Sequence, residues 1–97
     1  MPPLPESLRI CAVCPNPCRS ALGATAGPPE SRLPSAMAYL CYAIALGHLP
    51  PRADVVRSLR DLDAVRVCQE RCVYGYRVAD DIAAFTAGLS VEASDAA

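Results

Sequence analysis

The segment PSAMAYLCYAIALG, residues 34–47, decides the fold class. Its opening pair, Pro34 and Ser35, suits the first turn of a helix, where proline's fixed φ is compatible and its missing N–H is not needed. Strong helix formers follow, and Gly47 with Pro50 and Pro51 closes the run. The pattern predicts a helix from Ser35 to Leu46. It is apolar all round, so it needs burial on several faces, by its own domain or by another chain. Its apolar run is about half of the roughly 20 residues that span a bilayer, which predicts no transmembrane helix. Cys41, in the middle, reads as a small buried hydrophobe.

Outward from this segment the same period recurs. Val55, Val56, Leu59 and Leu62 stand at helical spacing with Arg57, Arg60 and Asp61 turned to water, predicting a helix from Ala53 to Leu62 that continues with a kink through Val65 to Cys68. Val78, Ile82, Phe85 and Leu89 line one face of a last helix. Asp80 and Asp81 lie in its first turns, where the helix dipole favours anions, and Gly88 weakens its end. Between them VYGY, residues 73–76, makes a turn on Gly75. A short helical turn is expected from Arg19 to Leu22, before GATAGPPESRLP, residues 23–34, interrupts any periodicity. No alternating strand pattern and no internal repeat occurs, so the fold class is all-α. Residues 1–10, rich in proline, read as an extended N-terminal arm, residues 11–89 as a single small helical domain with irregular cysteine loops, and residues 90–97 as a flexible tail.

With 97 residues the chain makes one domain, and a domain of that size buries too little surface to dispense with a staple or a partner. Six cysteines supply candidates for the staple. The start, MPPLPESLRI, lacks the basic run and apolar stretch of a secretory signal, which predicts a cytoplasmic chain with reduced thiols. A net charge of −1, with arginine as the only strongly basic residue type, gives no basic field of the kind that drives nucleic-acid binding. Arg57, Arg60, Arg66, Arg71 and Arg77 read as a solvated face. Over half of the residues are apolar, a composition that points to an interface with another protein.

The cysteines fall into two groups. Cys11, Cys14 and Cys18 form C-x2-C-x3-C in the stretch CAVCPNPC, where Pro15 and Pro17 forbid regular helix and force a looped backbone. Cys68 and Cys72 form C-x3-C beyond two helices. An iron–sulfur cubane takes four thiolates, and one tight loop can supply three while a distant residue closes the fourth corner. A structural zinc site built from Cys11, Cys14, Cys68 and Cys72 is the alternative, and a disulfide framework a third. His48, just past the central helix, reads as a capping or solvent-facing residue, and Tyr39, Tyr42, Tyr74 and Tyr76 as core and interface.

In these motifs the chain resembles the α-helical ferredoxin family, the iron–sulfur domain of succinate dehydrogenase, heterodisulfide reductase and glycolate oxidase iron–sulfur subunits. Members carry two C-x2-C-x2-C-x3-C-P motifs separated by helices, and the resemblance covers residues 11 to about 87. In the family the first three cysteines of one motif and the last of the other hold one [4Fe-4S] cluster. The resemblance therefore implies Cys11, Cys14, Cys18 and Cys72 as ligands of one [4Fe-4S] cluster. The second set is missing: Leu22, Leu62 and Val65 stand near its expected positions, and Cys68 alone survives, as an orphan core thiol and an additional candidate metal ligand. Cys18 lies one residue later than the family spacing, and Val73 follows Cys72 where the family has proline.

The implied function is that of a small electron-transfer subunit of an oxidoreductase, passing electrons to or from a larger flavin-containing dehydrogenase partner docked on the apolar helix. Backbone N–H groups of Tyr74 and Gly75 are expected near the cluster sulfurs. No Gly-rich phosphate loop, Cys–His or Ser–His pairing or facing carboxylate pair predicts a catalytic residue in this chain. The alternative is a zinc-stabilised, non-redox interaction module.

Overall fold

A computed structural model of the chain describes residues 3–23 and 30–90. They form five α-helices, α1 (Glu6–Cys11), α2 (Pro34–Ala45), α3 (Ala53–Leu59), α4 (Asp63–Gln69) and α5 (Val78–Ala87), with 3-10 turns at Pro17–Leu22 and Glu30–Arg32. No strand occurs among the described residues, so the fold is all-α. The tail from residue 91 onward, and residues 24–29 of the interruption, lie outside the described residues.

The core gathers on one face of α2. Met37, Ala38, Cys41 and Ile44 recur at the three- and four-residue spacing of a helix stripe and are all buried, packed against Leu8 of α1 and against Val78, Ala79, Ile82 and Phe85 of α5. The helix is apolar on its outer face as well, and there Tyr39 and Leu46 are more than half exposed. Tyr39 meets Tyr42 edge-on, with ring centroids 6.3 Å apart. No helix among the described residues is long and apolar enough to cross a membrane.

Two expectations are corrected. The first concerns residues 1–10, which are not an extended arm throughout. Pro5 is extended, but Glu6–Cys11 is helical, with Leu8 fully buried and the Ser7 hydroxyl donating a hydrogen bond to the Asp81 carboxylate on α5. A helix of six residues has no stability of its own, so this one exists because Leu8 and Ser7 dock it on the core.

The second concerns the helix expected to run from Ala53 to Cys68, which is two helices. Val56, Leu59, Leu62, Val65 and Cys68 are all buried, each three residues from the next. In a straight α-helix every step of three falls about 60° short of a full turn, so four such steps swing about 240° around the axis. One helix cannot face all five inward. The chain breaks at Arg60–Leu62, where Leu62 takes φ −105° and ψ 13°, and α4 restarts with Asp63 in its first turn. Arg32 braces the break, donating to the Ser58 carbonyl at 3.3 Å and pairing with Asp61 at 3.4 Å.

Candidate functional site

α1 ends at Cys11, and the chain curls at once: the Val13 N–H donates to the Ile10 carbonyl at 3.2 Å and the Cys14 N–H to the Cys11 carbonyl at 3.0 Å. Pro15 and Pro17 follow, each without an N–H, and between them Asn16 takes the left-handed conformation, φ 59° and ψ 56°. Among the described residues it is the one non-glycine with positive φ. Left-handed backbone is strained for most side chains and least so for glycine, asparagine and aspartate, and the following proline further disfavours helical backbone here.

The Asn16 amide shows what holds it there. Its Nδ2 donates to the Ser35 Oγ at 2.6 Å, and its Oδ1 accepts from the Ser35 N–H at 3.2 Å. Ser35 is the second residue of α2, so its N–H is one of the first-turn donors that no helix can satisfy internally. Asn16 thus caps α2 from outside and ties the cysteine loop to the central helix. The 3-10 turn that follows lays Cys18 against α4.

The second loop is built the same way. α4 ends at Gln69, the Cys72 N–H donates to the Gln69 carbonyl at 3.3 Å, and Gly75, at φ 74°, turns the chain while its N–H donates to the Cys72 carbonyl at 3.0 Å. That N–H, expected to face sulfur, is committed to closing the turn. The buried Gln69 side chain accepts from the Ala79 N–H at 2.9 Å, capping the first turn of α5. Each cysteine loop is therefore fixed by an amide side chain that caps a helix. Neither Asn16 nor Gln69 was singled out from the sequence.

Cys11, Cys14, Cys18 and Cys72 line one cleft, of about 380 Å³ including the solvent at its mouth, with Asn16 and Gln69 also in its wall. No acidic or basic side chain contributes to that wall. At the mouth Tyr74 stacks on Tyr76 with ring centroids 5.8 Å apart, and Tyr74 and Val73 are mostly exposed, as is Val13 in the first cysteine loop.

The thiols feel one another. Burial pushes Cys11 up to about 12, and the charges that Cys14, Cys18, Cys72 and Cys68 would carry push the same way. Cys18 is pushed up to about 11, again first by burial, then by Cys68, Cys14 and Cys72. Both thiols thus keep their protons at neutral pH in the metal-free chain.

The remaining candidates separate clearly. Cys41 is fully buried in the core, and its thiol is raised to about 12 by burial with no contribution from the other cysteines. Cys68 is fully buried too, and burial dominates in raising its thiol, with Cys18 and Arg19 acting the other way. It is not part of the cleft wall. His48 is exposed past the end of α2, its N–H donating to the Ala43 carbonyl at 2.9 Å.

Thiolates are soft donors of the kind that iron–sulfur clusters and zinc take, and four cysteines share this cleft. No group of three or more His, Cys, Asp or Glu side chains among the described residues is arranged to hold a metal ion. Compared with models of known protein families, with curated proteins and with solved structures, the chain finds no match.

Proposed function

We propose that the chain is a small electron-transfer protein whose Cys11, Cys14, Cys18 and Cys72 hold one [4Fe-4S] cluster. One observation carries the reading: these four cysteines, from two loops separated by α2, α3 and α4, line the same cleft. They are the four that the resemblance to the α-helical ferredoxin family implies. A zinc site built on Cys68 in place of Cys18 is disfavoured, because Cys68 sits outside the cleft wall.

When bound, such a cluster supplies one-electron transfer. The chain's own residues do the rest. The four thiols lose their protons on ligation, so loading displaces the protons that burial now holds on Cys11 and Cys18. Asn16 and Gln69 hold the two ligand loops in register through their bonds to α2 and α5. Val13, Val73 and Tyr74 offer exposed apolar surface beside the ligands, where a larger oxidoreductase subunit, in our reading a flavin-containing one, would approach the cluster. The outer face of α2, where Tyr39 and Leu46 are more than half exposed, is the second apolar surface open to a partner.

Anaerobic purification followed by iron and acid-labile sulfide analysis tests the proposal. The expected result is iron and sulfide in equal amounts, with a broad visible absorption that Cys72→Ser abolishes and Cys41→Ser retains. A colourless protein, whether it carries zinc or no metal, overturns it and, with zinc, favours the interaction module.

A further inference from the structure

The break between α3 and α4 leaves an open groove against α5 that shares no lining residue with the cysteine cleft. Leu59 and Leu62, on either side of the break, and Thr86 of α5 are buried and form its floor. The Thr86 hydroxyl commits its proton to the Ile82 carbonyl at 2.7 Å. Ala83 and Ala87, one turn apart on α5, add only methyl groups. The space they leave is about 560 Å³ including the solvent at its mouth, within the range of clefts that take small ligands.

The charge of the groove has one sign. Arg60, which ends α3, and Arg66 of α4 line it, both exposed, and no carboxylate side chain among the described residues does. Arg66 is already shared with Asp80 at 3.5 Å, whereas the Arg60 guanidinium has no ion pair among the described residues. An apolar groove with one uncommitted guanidinium is complementary to an apolar body that carries a single negative charge, and the planar fork of arginine matches a carboxylate.

We infer that this groove binds a small amphiphilic carboxylate, with its apolar body on Leu59, Leu62, Ala83 and Ala87 and its anion on Arg60. The α5 wall sets the length of that body. From Ala83 to Ala87 the helix axis rises about 6 Å. A helical peptide anchored at i, i+4 and i+7 spans about 10 Å and overruns it, so a short acyl or branched apolar body is the better fit. The site is independent of the cluster reading, because its outcome does not depend on any cysteine.

Titration of the whole isotope-labelled chain with octanoate, followed by amide chemical shifts, tests the assignment, with octan-1-ol as the uncharged control and octylammonium as the cationic one. The expected result is saturable binding in the millimolar range, with shifts at residues 59–66 and 83–87. Octanoate should bind about threefold to fivefold more tightly than octan-1-ol, the factor that one solvent-exposed ion pair supplies, and octylammonium more weakly than either. Arg60→Gln is expected to bring octanoate down to the level of octan-1-ol. Ala87→Leu, which fills the groove, should remove the binding of both. Arg60 and Ala87 are exposed, so both variants keep the fold, and circular dichroism checks that they do. Equal affinity for octanoate and octan-1-ol, no saturable binding, or shifts centred on Val73 and Tyr74 overturns the inference. Shifts at residues 59–66 and 83–87 on diluting the protein without ligand would give the groove to a second copy of the chain, and overturn it too.

Discussion

Replacing Asn16 tests whether one amide organises the first cysteine loop. Asn16→Ala removes two hydrogen bonds to Ser35, at 2.6 and 3.2 Å, each contributing about 1 kcal/mol net. It also places alanine at φ 59°, where a left-handed residue costs about 1–2 kcal/mol. Asparagine bears part of that strain already, so the expected loss is about 3 kcal/mol, or at least about 12 °C in Tm for a domain of this size. Asn16→Asp separates bonding from strain. Aspartate tolerates the same backbone, keeps an acceptor for the Ser35 N–H, can take a hydrogen bond from the Ser35 hydroxyl, and puts an anion at the start of α2, so its loss stays under about 1 kcal/mol. Urea unfolding of the metal-free chain measures both. The reasoning fails if Asn16→Ala unfolds within about 0.5 kcal/mol of the native chain, or if aspartate costs as much as alanine.

Gln69→Ala strips the Ala79 N–H of its acceptor in a buried position, for an expected loss of about 1–3 kcal/mol, while Gln69→Glu keeps the acceptor; equal unfolding midpoints for the two variants would refute the cap. Cys41 makes stability depend on pH. Unfolded, its thiol ionises in the ordinary range near 9, and folded only near 12, so its contribution is complete below pH 9 and falls by about 1.4 kcal/mol per pH unit as pH rises from 9 toward 12. Cys41→Ala is therefore expected to flatten the alkaline decline in urea midpoint by one proton's worth, and an unchanged slope would place the thiol outside the core. Phe85→Ala, at a side chain only 2% exposed, should cost about 3–5 kcal/mol by thermal unfolding, and a loss below about 1 kcal/mol would show that α5 is not docked as described.

The parts of the fold legible in the sequence are those whose signal is local. α2 and α5 follow from apolar spacing and from the proline and glycine at their boundaries, and their observed limits, Pro34–Ala45 and Val78–Ala87, lie within two residues of the expected ones. α1 was not legible. Its six residues follow three prolines and carry no amphipathic stripe long enough to register, and what makes them helical is contact with α2 and α5. The break between α3 and α4 was half visible as a kink. The strict three-residue spacing from Val56 to Cys68 already rules out a straight helix with one buried face, and it is the signal that would have fixed the break.

At the site the asymmetry is the same. Cys11, Cys14, Cys18 and Cys72 announce themselves by spacing, and all four reach one cleft. Asn16 and Gln69 do not, because they cap helices 19 and 10 residues away, whereas cap rules look for a side chain next to the helix it serves. Asn16 alone left a trace: in Pro-Asn-Pro, asparagine is among the few residues that settle into left-handed backbone. Cys68, expected as a core thiol, is fully buried and stands outside the cleft wall.

Native mass spectrometry of the chain loaded anaerobically with ferrous iron and sulfide tests most directly whether the four thiols hold one cluster. The predicted spectrum shows a single chain heavier by four irons and four sulfides, less the protons displaced from the ligating thiols, and no such species for Cys72→Ser. A chain that gains one zinc from a mixed metal solution in preference to iron and sulfide, that gains nothing, or that loads equally well without Cys72 would contradict it.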